Sequence, residues 1–171
     1  MKKAFQNFWY YHKIPVIIVL VLLAVGLYFL LQPKTPESDY EAAVISGRGC
    51  SDEQLAAIQN ALQTAGRDRN GDGTVTVQIH VYRFEIGAAG QDITAIAGLD
   101  ADLVGKMSGI FFAEDPEAFE EVSNGIVKAS GAVPLSAVRP LADAIPENLY
   151  LMIRTDADEK YTELFSVLTG K

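Results

Sequence analysis

Eighteen consecutive residues from Ile14 to Leu31 (IPVIIVLVLLAVGLYFLL) carry no charge. As a helix rising about 1.5 Å per residue, such a run covers ~27 Å, close to the hydrocarbon thickness of a bilayer. Phe8, Trp9, Tyr10 and Tyr11 precede it and Tyr28 and Phe29 mark its far end, so each interface has aromatic residues. Lys2, Lys3 and Lys13 all lie on the N-terminal side, which places that side in the cytoplasm by the positive-inside rule. A cleaved signal peptide has a shorter apolar core and small residues at its cut site. Here the run ends in bulky Tyr28, Phe29, Leu30 and Leu31, and no cysteine follows at once for a lipid anchor. The sequence therefore predicts an uncleaved signal anchor: residues 1–13 a cytoplasmic stub, 14–31 a transmembrane helix, 32–39 a stalk stiffened by two prolines, and 40–171 an extracytoplasmic domain.

Charge is divided at the same boundary. From Lys34 onward lie all 22 acidic residues, against 11 of the basic ones (14 − 3). An acidic domain of this kind argues against nucleic acid as a partner, because phosphate backbones select basic surfaces. The single cysteine excludes an internal disulfide and an all-cysteine zinc site. With two histidines, one of them in the stub, little histidine-based catalysis is available.

Beyond the stalk, hydrophobic periodicity predicts alternating strands and helices. Tyr40–Ser46 reads as a strand. Ser51 opens a helix with Gln54 three residues on, as a capping box requires, and Leu55, Ile58, Leu62 and Ala65 form its apolar stripe up to Gly66. From Thr74 to Phe84 the period is two, with Val75, Val77, Ile79 and Val81 alternating with polar residues; that suits an edge or half-covered strand. A second helix is expected from Asp92 to Lys106, with Ile93, Ile96, Leu103 and Met107 inward. Ile110–Ala113 reads as a strand, Asp115-Pro116 as a helix start, Leu149–Arg154 as a strand and Asp156–Leu168 as a helix turned inward at Tyr161, Leu164, Phe165 and Leu168. Residues 124–146, rich in Gly, Pro, Ala and Ser, have no clear period. The order of elements predicts one layered α/β domain.

The sharpest chemical signal is Asp68-Arg69-Asn70-Gly71-Asp72-Gly73-Thr74-Val75-Thr76. Oxygen side chains at the first, third and fifth positions, followed by glycine at the sixth, match the first half of an EF-hand-type calcium loop. Alternate side chains in a tight turn converge on a point, as a cation needing six to eight oxygens demands. The candidate ligands are Asp68, Asn70, Asp72, Thr74 through its carbonyl, and Thr76 directly or through water. The twelfth position, where an EF-hand places glutamate, is Ile79. The alternative is a metal-free Asn-Gly and Asp-Gly turn.

A second feature is Gly47-Arg48-Gly49-Cys50-Ser51, between a strand and a helix start. There, free N–H groups attract anions and a cysteine can have a lowered pKa. The pattern lacks the spacing of a nucleotide loop, and His80 is the one histidine beyond the stub that could serve a Cys50 nucleophile. The acids Glu114, Asp115, Glu117, Glu120 and Glu121 read as a solvated surface around a helix start.

The aromatic-rich stub, single span, stalk and Asp68–Gly73 turn together resemble signal-anchored surface proteins of Gram-positive bacteria. The element order from Tyr40 to Phe112, with the late Leu149–Arg154 strand and closing helix, is similar to one lobe of an extracellular solute-binding protein. That resemblance implies a layered α/β fold and a binding or interaction role, as an accessory of a membrane complex or transport system. The partners expected are the membrane and a protein or small ligand, with calcium as a stabilising ion. The alternatives are a Cys50-dependent surface enzyme and a structural spacer.

Overall fold

The computed structural model describes residues 2–31, 38–87, 92–139, 141 and 148–170, and of 2–13 and 29–31 the backbone alone. The chain forms two compact units, Met1–Pro36 and Glu37–Lys171. The described residues of the first form one helix, α1 (Lys2–Leu31), which begins inside the expected stub. Its described side chains, residues 14–28, are almost all exposed. Among the described residues no helix is long and apolar enough to cross a membrane. The stalk expected at 32–39 lies outside the described residues except for Ser38 and Asp39.

The second unit is a mixed α/β domain. Its elements are β1 (Tyr40–Ile45), α2 (Asp52–Ala65), β2 (Val77–Tyr82), α3 (Ile93–Gly105), β3 (Ile110–Ala113), α4 (Pro116–Val122), β4 (Val133–Pro134), β5 (Tyr150–Ile153) and α5 (Glu159–Thr169). The five strands form one sheet in the order β2-β1-β3-β5-β4. β1 pairs parallel with both β2 and β3, whereas β5 runs antiparallel to β3 and β4.

Every central strand is buried on both faces. Ala42 and Val44, Ile110 and Phe112, and Leu151 pack on one side with Ile58, Leu62, Tyr161, Leu164 and Leu168, so α2 and α5 cover that face. Ala43 and Ile45, Phe111 and Ala113, and Met152 pack on the other with Leu99, Leu103 and Phe119 from α3 and α4. This is why β1 and β3 read as continuous apolar runs while β2, at the edge, alternates.

The expected elements form with shifted boundaries. Ser51 and Gln54 make the capping box in full. β2 starts three residues later than its period suggested, because the N–H of Thr74 goes to Asp72 and that of Thr76 to Asp39. α5 starts later than Asp156, whose carboxylate is held by Arg154 and Lys106.

α3 turns Ile96 and Leu103 inward as expected, but it leaves Ile93 and Met107 out and buries Leu99. Ile93 is 81% exposed and Met107 40%, while Leu99 and Leu103 are buried. Gly98 accounts for the burial of Leu99: a Cβ there would lie 3.1 Å from the Tyr82 ring, so the bare backbone seats against β2 and carries Leu99 inward. Asp102, buried beside them, accepts from Tyr82 Oη at 2.9 Å and from the Ser108 amide and hydroxyl at 2.7 Å each.

Candidate functional site

The two sequence features occupy opposite ends of the sheet. Loops that leave the carboxyl ends of β1, β2 and β3 meet at one end. α2 follows β1 on one face and α3 follows β2 on the other, so the winding reverses between β1 and β3. In open α/β sheets that reversal opens a crevice outside the strand ends, where ligands bind.

Here the crevice has a cavity volume of about 120 Å³ and is lined by Ile45, Gly47, Phe84, Glu85, Ile86, Glu114 and Asp115. It adjoins a wider, shallower groove of about 690 Å³, which shares Glu114 and Asp115 and continues along Glu117, Ser130 and Tyr150. Gly47 sets the crevice's width: a Cβ would come within 2.8 Å of Glu85 Cβ, so the β1 and β2 loops touch only because the side chain is missing. Ser46, buried, donates its hydroxyl to Glu114 Oε1 at 2.6 Å. Asp115 caps α4 by accepting from the Glu117 and Ala118 amides. Asp115 is exposed, as expected of a solvated surface, and Glu114 is half-buried; together they form the shared wall of this crevice. The β3 strand signal followed by an acidic pair could have located them, had the strand order been legible.

The Gly47–Ser51 loop does not provide what an anion or a thiolate needs. The N-terminus of α2 is capped by its own residues, with the Gln54 amide donating to Ser51 Oγ and the Ser51 amide to Gln54 Oε1. Cys50 is buried in the α2-side core. Burial, with Glu114 nearby, pushes its thiol above its ordinary value, the reverse of an activated nucleophile. His80 contacts Glu41 Oε2 at 3.0 Å, on the face opposite the core that holds Cys50. Among the described residues no Cys–His pair is brought together.

At the other end, Asp68, Asn70, Asp72, Thr74 and Thr76 lie in the turn between α2 and β2. Asp68 accepts from the Gly71 and Gly73 amides, at 2.7 and 2.8 Å. Asn70 Oδ1 accepts from the Asp72 amide, and Asp72 Oδ1 accepts from both the amide and the hydroxyl of Thr74. The Thr74 hydroxyl, followed by its amide, holds the Asp72 carboxyl below its ordinary pKa. These are the bonds of an Asx-wired turn. Ile79, at the twelfth position, is in β2 and supplies no ligand. Among the described residues no group of three His, Cys, Asp or Glu side chains is placed to hold a metal.

The residue that secures this turn is one the sequence did not single out. Asp39, 2% exposed, accepts from the amides of Arg69 and Asn70 through Oδ1, at 2.7 and 3.0 Å, and from Thr76 through Oδ2, at 2.8 Å. Burial alone would raise its pKa. The donations from Thr76, Arg69 and Asn70, with Lys160 nearby, outweigh burial and hold the carboxyl below its ordinary value.

No protein-family model matches the chain. No curated protein matches it, and neither does any solved structure.

Proposed function

We propose that the chain is a single-pass membrane protein whose extracytoplasmic domain binds a ligand in the crevice at the carboxyl ends of β1 and β3. The observation that carries the reading is the position of that crevice, where the strand order reverses. Its carboxylates, Glu85, Glu114 and Asp115, favour a small ligand carrying positive charge, such as an amine, or a basic segment of a protein partner. The uncharged run 14–31, flanked by aromatic residues and preceded by lysines, supports the anchor and its orientation. A binding accessory of a membrane complex is the role that fits both parts. Calcium in the 68–76 turn is a stabiliser in this reading: the Asp68 and Asp72 carboxylates have lone pairs beyond those that their internal hydrogen bonds use. The buried, raised Cys50 thiol favours binding over Cys50 catalysis.

The test is a ligand screen by thermal shift on the full chain in detergent, with small amines, amino acids and basic peptides. A ligand at one hundred times its Kd stabilises the folded state by about 2.7 kcal/mol. The expected result is a shift from a cationic ligand that Glu114→Gln reduces at least tenfold in affinity. Cationic ligands acting equally on wild type and Glu114→Gln, or none acting at all, would leave the crevice without a role and favour the spacer reading.

A further inference from the structure

The two edges of the sheet are built differently. β4 ends one side with two residues, the second of them Pro134, a short and proline-blunted edge of the kind that resists pairing. β2 ends the other side with six residues, Val77–Tyr82. The Tyr40 amide donates to Thr76 O and the Ser46 amide to Tyr82 O. Even-numbered carbonyls of this segment therefore face β1, and the amides and carbonyls of Val77, Ile79 and Val81 face outward. Gln59 Nε2 caps the Val77 carbonyl at 3.1 Å. Residues 74–82 (TVTVQIHVY) include no Lys, Arg, Asp, Glu or Pro, and His80 is engaged by Glu41. Among the described residues, Gln59 on the Val77 carbonyl is the one cover on this edge, and the strand carries neither the charges nor the proline that commonly protect one.

We infer that the β2 edge docks a second copy of this chain, antiparallel about a twofold axis at Ile79. This goes beyond the crevice and does not depend on it. In that register Ile79 faces its own counterpart and Val77 faces the second copy's Val81. Apart from the Val77 carbonyl that Gln59 caps, the outward groups exchange about four main-chain hydrogen bonds. Charge favours a second copy as the occupant. The protein carries a formal net charge of −8, yet two uncharged strands meet without placing acid against acid. Arg83, exposed and just past β2, falls opposite residue 75 of the second copy, beside that copy's exposed Asp68 and Asp72. The dyad repeats the contact, so each end of the seam joins a cation to an acidic turn.

The experiment is sedimentation of the full chain in detergent over a range of protein-to-detergent ratios, together with oxidative cross-linking of Ile79→Cys. Cα atoms of a hydrogen-bonded antiparallel pair are about 5.5 Å apart, within disulfide reach. The expected results are a reversible dimer and a covalent dimer from Ile79→Cys. Wild type, with its buried Cys50, should not cross-link, nor should Val167→Cys on α5. Val81→Pro removes an outward amide and leaves the β1 ladder intact, and should weaken association at least tenfold with an unchanged melt. Should that variant fail to fold, the surface charge swap decides: Arg83→Glu weakens the dimer, and adding Asp72→Arg restores it. A chain that stays monomeric would overturn the inference. So would a dimer that neither cross-links at 79 nor responds to the Arg83 swap, since its contact would lie elsewhere, as in α1.

Discussion

Asp39 stands at the entry to β1, and its buried carboxylate accepts three backbone amides from a turn distant in sequence. Deleting it leaves those donors without their partner inside the protein, and an unsatisfied buried group costs about 1–3 kcal/mol. Asp39→Ala is therefore expected to lower stability by about 3 kcal/mol, read as a drop in melting temperature; a loss within a few tenths would mean that water replaces the carboxylate. The pH dependence follows from the depressed pKa. A carboxyl lowered on folding stabilises the protein fully above its unfolded value, 3.8. That contribution is lost as pH falls below 3.8 through the lower folded value. The wild-type melt should therefore fall more steeply than that of Asp39→Ala in this acid range. The same melts in calcium and in chelator test the turn, with a calcium-specific rise expected that Asp68→Ala and Asp72→Ala together remove. The turn itself was legible because Asn-Gly and Asp-Gly act locally. Asp39 was not, since a lone acid after a proline-containing stretch carries no sign of the remote amides it will meet.

At the scale of elements, caps and periods were the readable part. The Ser51–Gln54 box and the Asp115-Pro116 start depend on neighbours within three residues, and both form as expected. α3 illustrates what periodicity lacks. Its sequence is apolar around much of its circumference, so which side turns inward is decided by the seat of Gly98 on Tyr82, a contact between separate elements. The consequence is measurable. Leu99→Ala should destabilise by about 3 kcal/mol, as for a buried leucine, whereas Ile93→Ala at an exposed position should change stability by less than about 0.5 kcal/mol. Equal effects in denaturant melts would contradict the burial of Leu99 and the exposure of Ile93. Residues 124–146 were unreadable for a related reason. β4 has only two residues, too few for a period, and is defined by its pairing with β5.

For the molecule as a whole, the α/β class was legible from the alternation of elements, but the order β2-β1-β3-β5-β4 was not. Strand order is set by which apolar faces can be covered together, and single strands do not record it. The crevice inherits that limit: Glu85 is distant in sequence from the adjacent Glu114 and Asp115, and they converge only when β1 lies between β2 and β3. The proposed role depends on that domain lying outside the cell behind one anchor. The direct measurement is topology in intact cells of the full chain with an N-terminal and a C-terminal epitope tag, exposed to external protease. The account predicts membrane-bound full-length protein whose C-terminal tag is accessible and whose N-terminal tag is protected until the cells are lysed. An N-terminal tag digested from outside, a protected C-terminal tag, or a released domain lacking residues 1–31 would contradict it.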